Sequence, residues 1–119
     1  MEASKPRALV VDDDPALRML IRVNLDLEGF EVVEAGTIEE SEEALRTARP
    51  DVVLLDVHLG GQQSFGLLAR LRADGIPVAL VTGSVDVEEY RDAADEVISK
   101  PFTPQALVAV ARRLARVQA

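Results

Sequence analysis

Val52-Val53-Leu54-Leu55-Asp56-Val57-His58-Leu59 is the stretch whose reading decides the fold. Four apolar residues, two of them β-branched, run into a carboxylate, and Gly60-Gly61 follow. A continuous apolar run this short suits a strand buried on both faces of a parallel sheet. Asp56 then stands at the strand's carboxyl end, where open α/β sheets place their ligands. Alone, the same Asp could equally cap a helix or start a turn. Its meaning depends on what the rest of the chain brings beside it.

Upstream, Ala8-Leu9-Val10-Val11 is a second short apolar strand ending in carboxylates, Asp12-Asp13-Asp14. Asp14 reads as the N-cap of a helix with Pro15 at its first position. Leu17, Leu20, Ile21 and Leu25 recur at helical spacing, and Gly29 supplies the stop. Residues 30–34 form another strand. Thr37, with Glu40 three residues on, predicts a capping box for a helix that ends before Pro50. Downstream, Ser64 is expected to cap a third helix that carries Leu67, Leu68 and Leu71 inward. Pro77-Val78-Ala79-Leu80-Val81 is a fourth buried strand, stopping at Thr82-Gly83-Ser84. A short acidic helix is expected over about 87–94, a fifth strand over 97–99, and a last helix opened by Thr103-Pro104. Five strands alternating with five helices through short loops predict a (βα)₅ doubly wound, five-stranded parallel sheet with right-handed crossovers.

Bulk properties narrow the function. At 119 residues, 48% of them hydrophobic, the chain makes one domain with a core that needs no staples. It has no cysteine, so disulfides, thiol catalysis and Cys-based zinc sites are excluded. No apolar stretch approaches the roughly 20 residues of a membrane span, and the first seven residues lack the apolar segment of a secretory signal. A cytoplasmic setting is expected. With 21 acidic against 13 basic residues, the net charge of −8 argues against direct contact with nucleic acid or anionic lipid. It suits a cation site or a basic partner.

In this topology the carboxyl ends of the first, third, fourth and fifth strands open on one edge of the sheet. Asp12 and Asp13, Asp56, Thr82 and Lys100 stand there. Singly, each has an ordinary reading: loop acids, a turn hydroxyl, a surface ammonium. His58, the only histidine, has no imidazole or thiol partner for zinc. Together they are restrictive, because crowded carboxylates repel unless a proton or a cation balances them. All-oxygen donors with room for water suit Mg²⁺. Asp56 could then act as nucleophile toward a phosphoryl group, with Lys100 neutralising a phosphoryl oxygen.

On the pieces Leu9-Val10-Val11-Asp12-Asp13, Leu54-Leu55-Asp56, Leu80-Val81-Thr82-Gly83-Ser84 and Lys100-Pro101-Phe102, the sequence resembles the receiver domain of bacterial two-component response regulators. The resemblance covers residues 1–119 as a single receiver domain. It implies that Asp56 is the phosphoryl acceptor. It also implies that Asp13, Asp56 and the backbone carbonyl of His58 ligate Mg²⁺, with Asp12 acting mainly through water. Thr82 and Lys100 become the phosphoryl-oxygen contacts, and the Lys100–Pro101 peptide is expected to be cis. A histidine kinase or phosphotransfer protein is the implied donor, a further protein the downstream target, and the chain is not a general turnover enzyme.

Three departures stand against the family pattern. Gly60-Gly61 replace the usual proline after the acceptor, which is expected to loosen that loop. The 18 positions from Thr82 to Lys100 are about one helical turn short, which truncates the fourth helix. Val97 stands where the family has an aromatic residue that moves with the Thr; Tyr90 is either a substitute reporter or a half-exposed packing residue. Two other functions fit the same residues: a receiver used as a constitutive docking module, and a small Asp-nucleophile phosphohydrolase. The second lacks an acidic pair after Lys100 and an insert long enough for a substrate lid. No output domain is encoded in these residues, so the chain is expected to be a single-domain regulator or the front of a longer one.

Overall fold

β3 (Val52–Asp56) is buried along its whole length, as its uninterrupted apolar run requires. It lies at the centre of a five-stranded parallel sheet with β1 (Arg7–Val11), β2 (Glu31–Ala35), β6 (Val78–Gly83) and β7 (Glu96–Lys100), in the order β2-β1-β3-β6-β7. The computed structural model describes residues 5–83 and 90–117. Within them the helices are α1 (Pro15–Leu27), α2 (Ile38–Thr47), α3 (Phe65–Ala73) and α4 (Pro104–Val117). Of the short helix expected over 87–94, residues 87–89 lie outside the described residues, and residues 91–93 form a turn rather than a continued helix. A two-residue pair, β4 (His58–Leu59) with β5 (Gln62–Gln63), forms a separate antiparallel hairpin.

Strand alternation divides the core into two layers. Leu9, Val11, Val53, Leu55, Val78 and Leu80 point to one face and pack with Leu67, Leu68 and Leu71 of α3, with Ile38, Ala44 and Leu45 of α2 against them. Ala8, Val10, Val52, Leu54, Ala79 and Val81 point to the other and pack with Ile21 and Leu25 of α1 and Leu107, Ala111 and Leu114 of α4. Helices on both faces leave the loops at the carboxyl edge as the open surface. Among the described residues, no helix is long and apolar enough to cross a membrane.

Most of the local grammar holds. The Asp14 carboxylate accepts from the Ala16 and Leu17 amides, and Pro15 opens α1. Thr37 Oγ1 accepts from the Glu40 amide at 3.0 Å, but the Glu40 carboxylate reaches past the cap to the Gly36 amide at 2.7 Å.

The hairpin after β3 corrects the expectation of a loosened loop. Gly60 and Gly61 have φ of +53° and +86°, the pair of left-handed values that a two-residue type I′ hairpin demands. The glycines define the turn rather than relax it.

Ser64 corrects a second expectation. Its side chain makes no capping bond to α3. The buried hydroxyl instead donates back to the carbonyls of Asp56 at 2.7 Å and Val57 at 3.1 Å, while its amide also donates to Val57.

Candidate functional site

Four β-strands deliver the site. β1 ends at Val11 and places Asp12, which is buried, and Asp13, which is exposed, at the carboxyl edge. β3 ends in Asp56, 6% exposed. One oxygen from each of Asp12, Asp13 and Asp56 can be chosen so that all three lie within 4.8 Å of one another. Thr82 follows Val81, the register partner of Asp56, and Lys100 lies in register with Gly83 on the next strand. The Lys100 ammonium sits 3.5 Å from Asp56 Oδ2 and 3.6 Å from Asp12 Oδ2, between the two buried carboxylates.

Each carboxylate has a local support. The Asp14 amide donates to Asp12 Oδ1 at 2.9 Å, the His58 amide to Asp56 Oδ1 at 3.2 Å, and the Gly60 amide to Asp13 Oδ2 at 2.9 Å. The Asp56 carboxyl is pushed above the ordinary carboxylate range, first by burial and then by the Asp12 charge; the His58 amide and Lys100 oppose the shift without cancelling it. One ammonium therefore under-compensates the cluster. A divalent cation would complete the balance, and three carboxylates with no thiol or imidazole among them fit a hard ion such as Mg²⁺.

Thr82 supplies a second sign that the site awaits a ligand. Its Oγ1 is buried and has no hydrogen-bond partner among the described residues. A buried hydroxyl without a partner costs stability, and here it lies at the strand end beside Asp56. The Lys100–Pro101 peptide is cis, as expected. The His58 side chain is exposed and is no member of the acidic cluster.

Sequence reasoning missed three supporting residues. Arg18, one turn into α1, donates to the Asp12 carbonyl at 2.6 Å and pairs with Glu34 on β2 at 3.2 Å, which pins the end of β1. Gly36 makes room for it: a Cβ there would meet Arg18 Nη1 at 2.9 Å. Ser64, read as a cap, fixes the acceptor's own main chain. An arginine four residues past an N-cap was visible in the sequence. A serine whose hydroxyl turns backward looks identical to one that caps.

Acids at the ends of β1 and β3, a hydroxyl on β6 and a lysine on β7 thus meet at one edge of a doubly wound parallel sheet, the arrangement of a signalling receiver domain. The model of the response regulator receiver domain matches residues 8–112, and the chain belongs to that family. The DNA-binding response regulator MtrA of Mycolicibacterium smegmatis is 38% identical over 117 residues, covering 94% of this chain and 51% of that protein. The transcriptional regulatory protein AruR of Pseudomonas aeruginosa is 36% identical over 124 residues, covering 96% and 51%. The chain thus spans about half the length of the curated relatives it matches. Among solved structures, a CheY-like receiver domain protein from Methanospirillum hungatei superposes with a TM-score of 0.87 at 29% identity, covering 97% of each chain. The receiver domain of NtrX from Brucella abortus gives 0.84 at 30%, covering 92% of this chain and 98% of that one. The chain is a receiver domain of a two-component response regulator, a class of signalling modules that conventionally binds Mg²⁺ at this acidic pocket and is phosphorylated by histidine kinases.

Proposed function

We propose that Asp56 accepts a phosphoryl group from the phosphohistidine of a histidine kinase or phosphotransfer protein, and that the modified domain then changes its hold on a downstream protein. The carrying observation is the pairing of a buried, charge-strained Asp56 with the unpartnered hydroxyl of Thr82 at the neighbouring strand end. An Asp56 carboxylate oxygen attacks phosphorus; the P–N bond breaks with its electrons on the ring nitrogen, which takes up a proton. Lys100 and Thr82 receive phosphoryl oxygens, one by charge and one by a donated hydrogen bond. Asp12, Asp13, Asp56 and the His58 carbonyl would hold Mg²⁺, Asp12 mainly through water. When bound, the ion neutralises charge that would otherwise repel the incoming phosphate.

Among the described residues nothing builds a substrate lid, and we read the domain as a switch rather than a turnover enzyme, acting in the cytoplasm. DNA binding is named for the MtrA relatives. A chain of net charge −8 is poorly suited to it, so any such contact would fall to residues outside these 119.

Incubation with acetyl phosphate and Mg²⁺ tests the reading. Wild type is expected to gain the mass of one phosphoryl group, and Asp56→Asn to gain none. Equal labelling of Asp56→Asn would move the acceptor elsewhere. Wild type that no donor labels, and that binds its partner as Asp56→Asn does, would make the domain a constitutive docking module.

A further inference from the structure

Of the three carboxylates in the acidic cluster, Asp12 and Asp56 are buried and both meet Lys100, whereas Asp13 is exposed on the loop after β1. An exposed aspartate ordinarily samples several rotamers. Here its Oδ2 accepts from the Gly60 amide, 47 residues along the chain, at 2.9 Å. Among the described residues no other donor meets this carboxylate. The amide is available because position 60 is not proline. Its aim is fixed because Gly60 and Gly61, at φ of +53° and +86°, close the β4–β5 hairpin as a type I′ turn.

We infer that the Gly60–Gly61 turn is a positioning element for the divalent cation: it holds the Asp13 carboxylate in the cluster with Asp12 and Asp56. The inference rests on the proposed reading of that cluster as a Mg²⁺ site. A carboxylate offers about four acceptor positions, so one amide leaves room for a metal. Held groups bind more tightly than free ones because their ordering cost is met before the ligand arrives. The turn itself sits in open space: a Cβ built at Gly60 or Gly61 meets nothing within 4 Å. Substitution at position 60 therefore acts through backbone conformation and not through a clash.

That property gives a clean pair of variants. Asn tolerates the left-handed region and is favoured at the first turn position, whereas β-branched Val is not. Both keep the backbone N–H. Calorimetric titration with MgCl₂ of wild type, Gly60→Asn and Gly60→Val is expected to show Asn close to wild type and Val weaker by about tenfold or more, the usual scale for loss of a ligand-orienting partner. Metal-free Gly60→Asn is expected to melt close to wild type and Gly60→Val somewhat earlier, because the strain of a β-branched residue at φ of +53° does not depend on space around it. Val binding Mg²⁺ as tightly as wild type, or Asn losing as much as Val, would overturn the inference. Wild type that takes up no Mg²⁺ would instead bring down the cation-site reading beneath it.

Discussion

Thr82→Val separates folding from function more sharply than any other substitution at the site. Valine has nearly the shape of threonine, so the core around β6 keeps its volume and loses only the hydroxyl. That hydroxyl is buried, with Thr82 1% exposed, and has no partner among the described residues. Burying such a group costs about 1–3 kcal/mol in proteins, so the metal-free variant is expected to gain stability, up to about that amount. The same hydroxyl is the proposed donor to a phosphoryl oxygen, and a hydrogen bond to a charged group contributes about 1.5–3 kcal/mol. At about 1.4 kcal/mol per tenfold, phosphorylation is expected to slow by about ten- to a hundredfold. Urea melts without cation give the first quantity, and the rate of mass gain with acetyl phosphate the second. A variant that melts earlier than wild type and labels as fast would refute both halves of the reasoning.

The raised Asp56 carboxyl sets a pH dependence. Because its folded pKa lies above the ordinary carboxylate value, the folded state favours the proton; that stabilisation is present below the unfolded value and is lost as pH rises through the folded one. Metal-free wild type is therefore expected to lose stability with rising pH across that window while Asp56→Asn shows a flatter profile; parallel urea-melt curves for the two proteins would contradict this. Lys100→Gln removes the ammonium between Asp12 and Asp56, so it is expected to lower metal-free stability at neutral pH and to regain more stability on adding Mg²⁺ than wild type does. A thermal shift with Mg²⁺ no larger than that of wild type would count against a shared role for Lys100 and the cation.

The strands were legible because burial on both faces demands short continuous apolar runs, and turn residues bound each of them. Val52 to Leu55 suited a strand buried on both faces, and the placing of the acids that end β1 and β3 on one edge followed from topology. What stayed hidden depends on small choices of direction. Ser64 precedes a helix and looks like a cap, yet its hydroxyl finds two carbonyls behind it. Gly60-Gly61 looked like slack, because glycine's freedom in a sequence does not say whether a hairpin will use it. Tyr90 was expected either to report on the site or to pack half-exposed; it is 7% exposed and belongs to the α2–α3 side of the core. Pairwise contacts between distant residues, such as Gly60 with Asp13 and Arg18 with the Asp12 carbonyl, have no local signature at all.

Those buried contacts bear on how a change at the site could leave it. Thr82 lies in register with Ser99, and Gly83 with Lys100, so the two groups proposed to grip the phosphoryl oxygens stand on adjacent strands already bonded together. Val97, two residues before Ser99, packs against the core layer that contains Tyr90. Valine is stiff at χ1, so a side-chain swing at that position has little to swing. The aromatic contact on this face lies elsewhere: the rings of Tyr90 and Phe65 are 5.2 Å apart and inclined at 44°. Phe65 is the first residue of α3, and its neighbour Ser64 holds the carbonyl of Asp56. Separating such a ring pair costs about 0.5–1.5 kcal/mol beyond burial, well below the charge-assisted contacts a phosphoryl group would add. Direct contacts and one peptide bond thus connect the Asp56 main chain through Ser64 and Phe65 to Tyr90, in the core layer against which Val97 also packs.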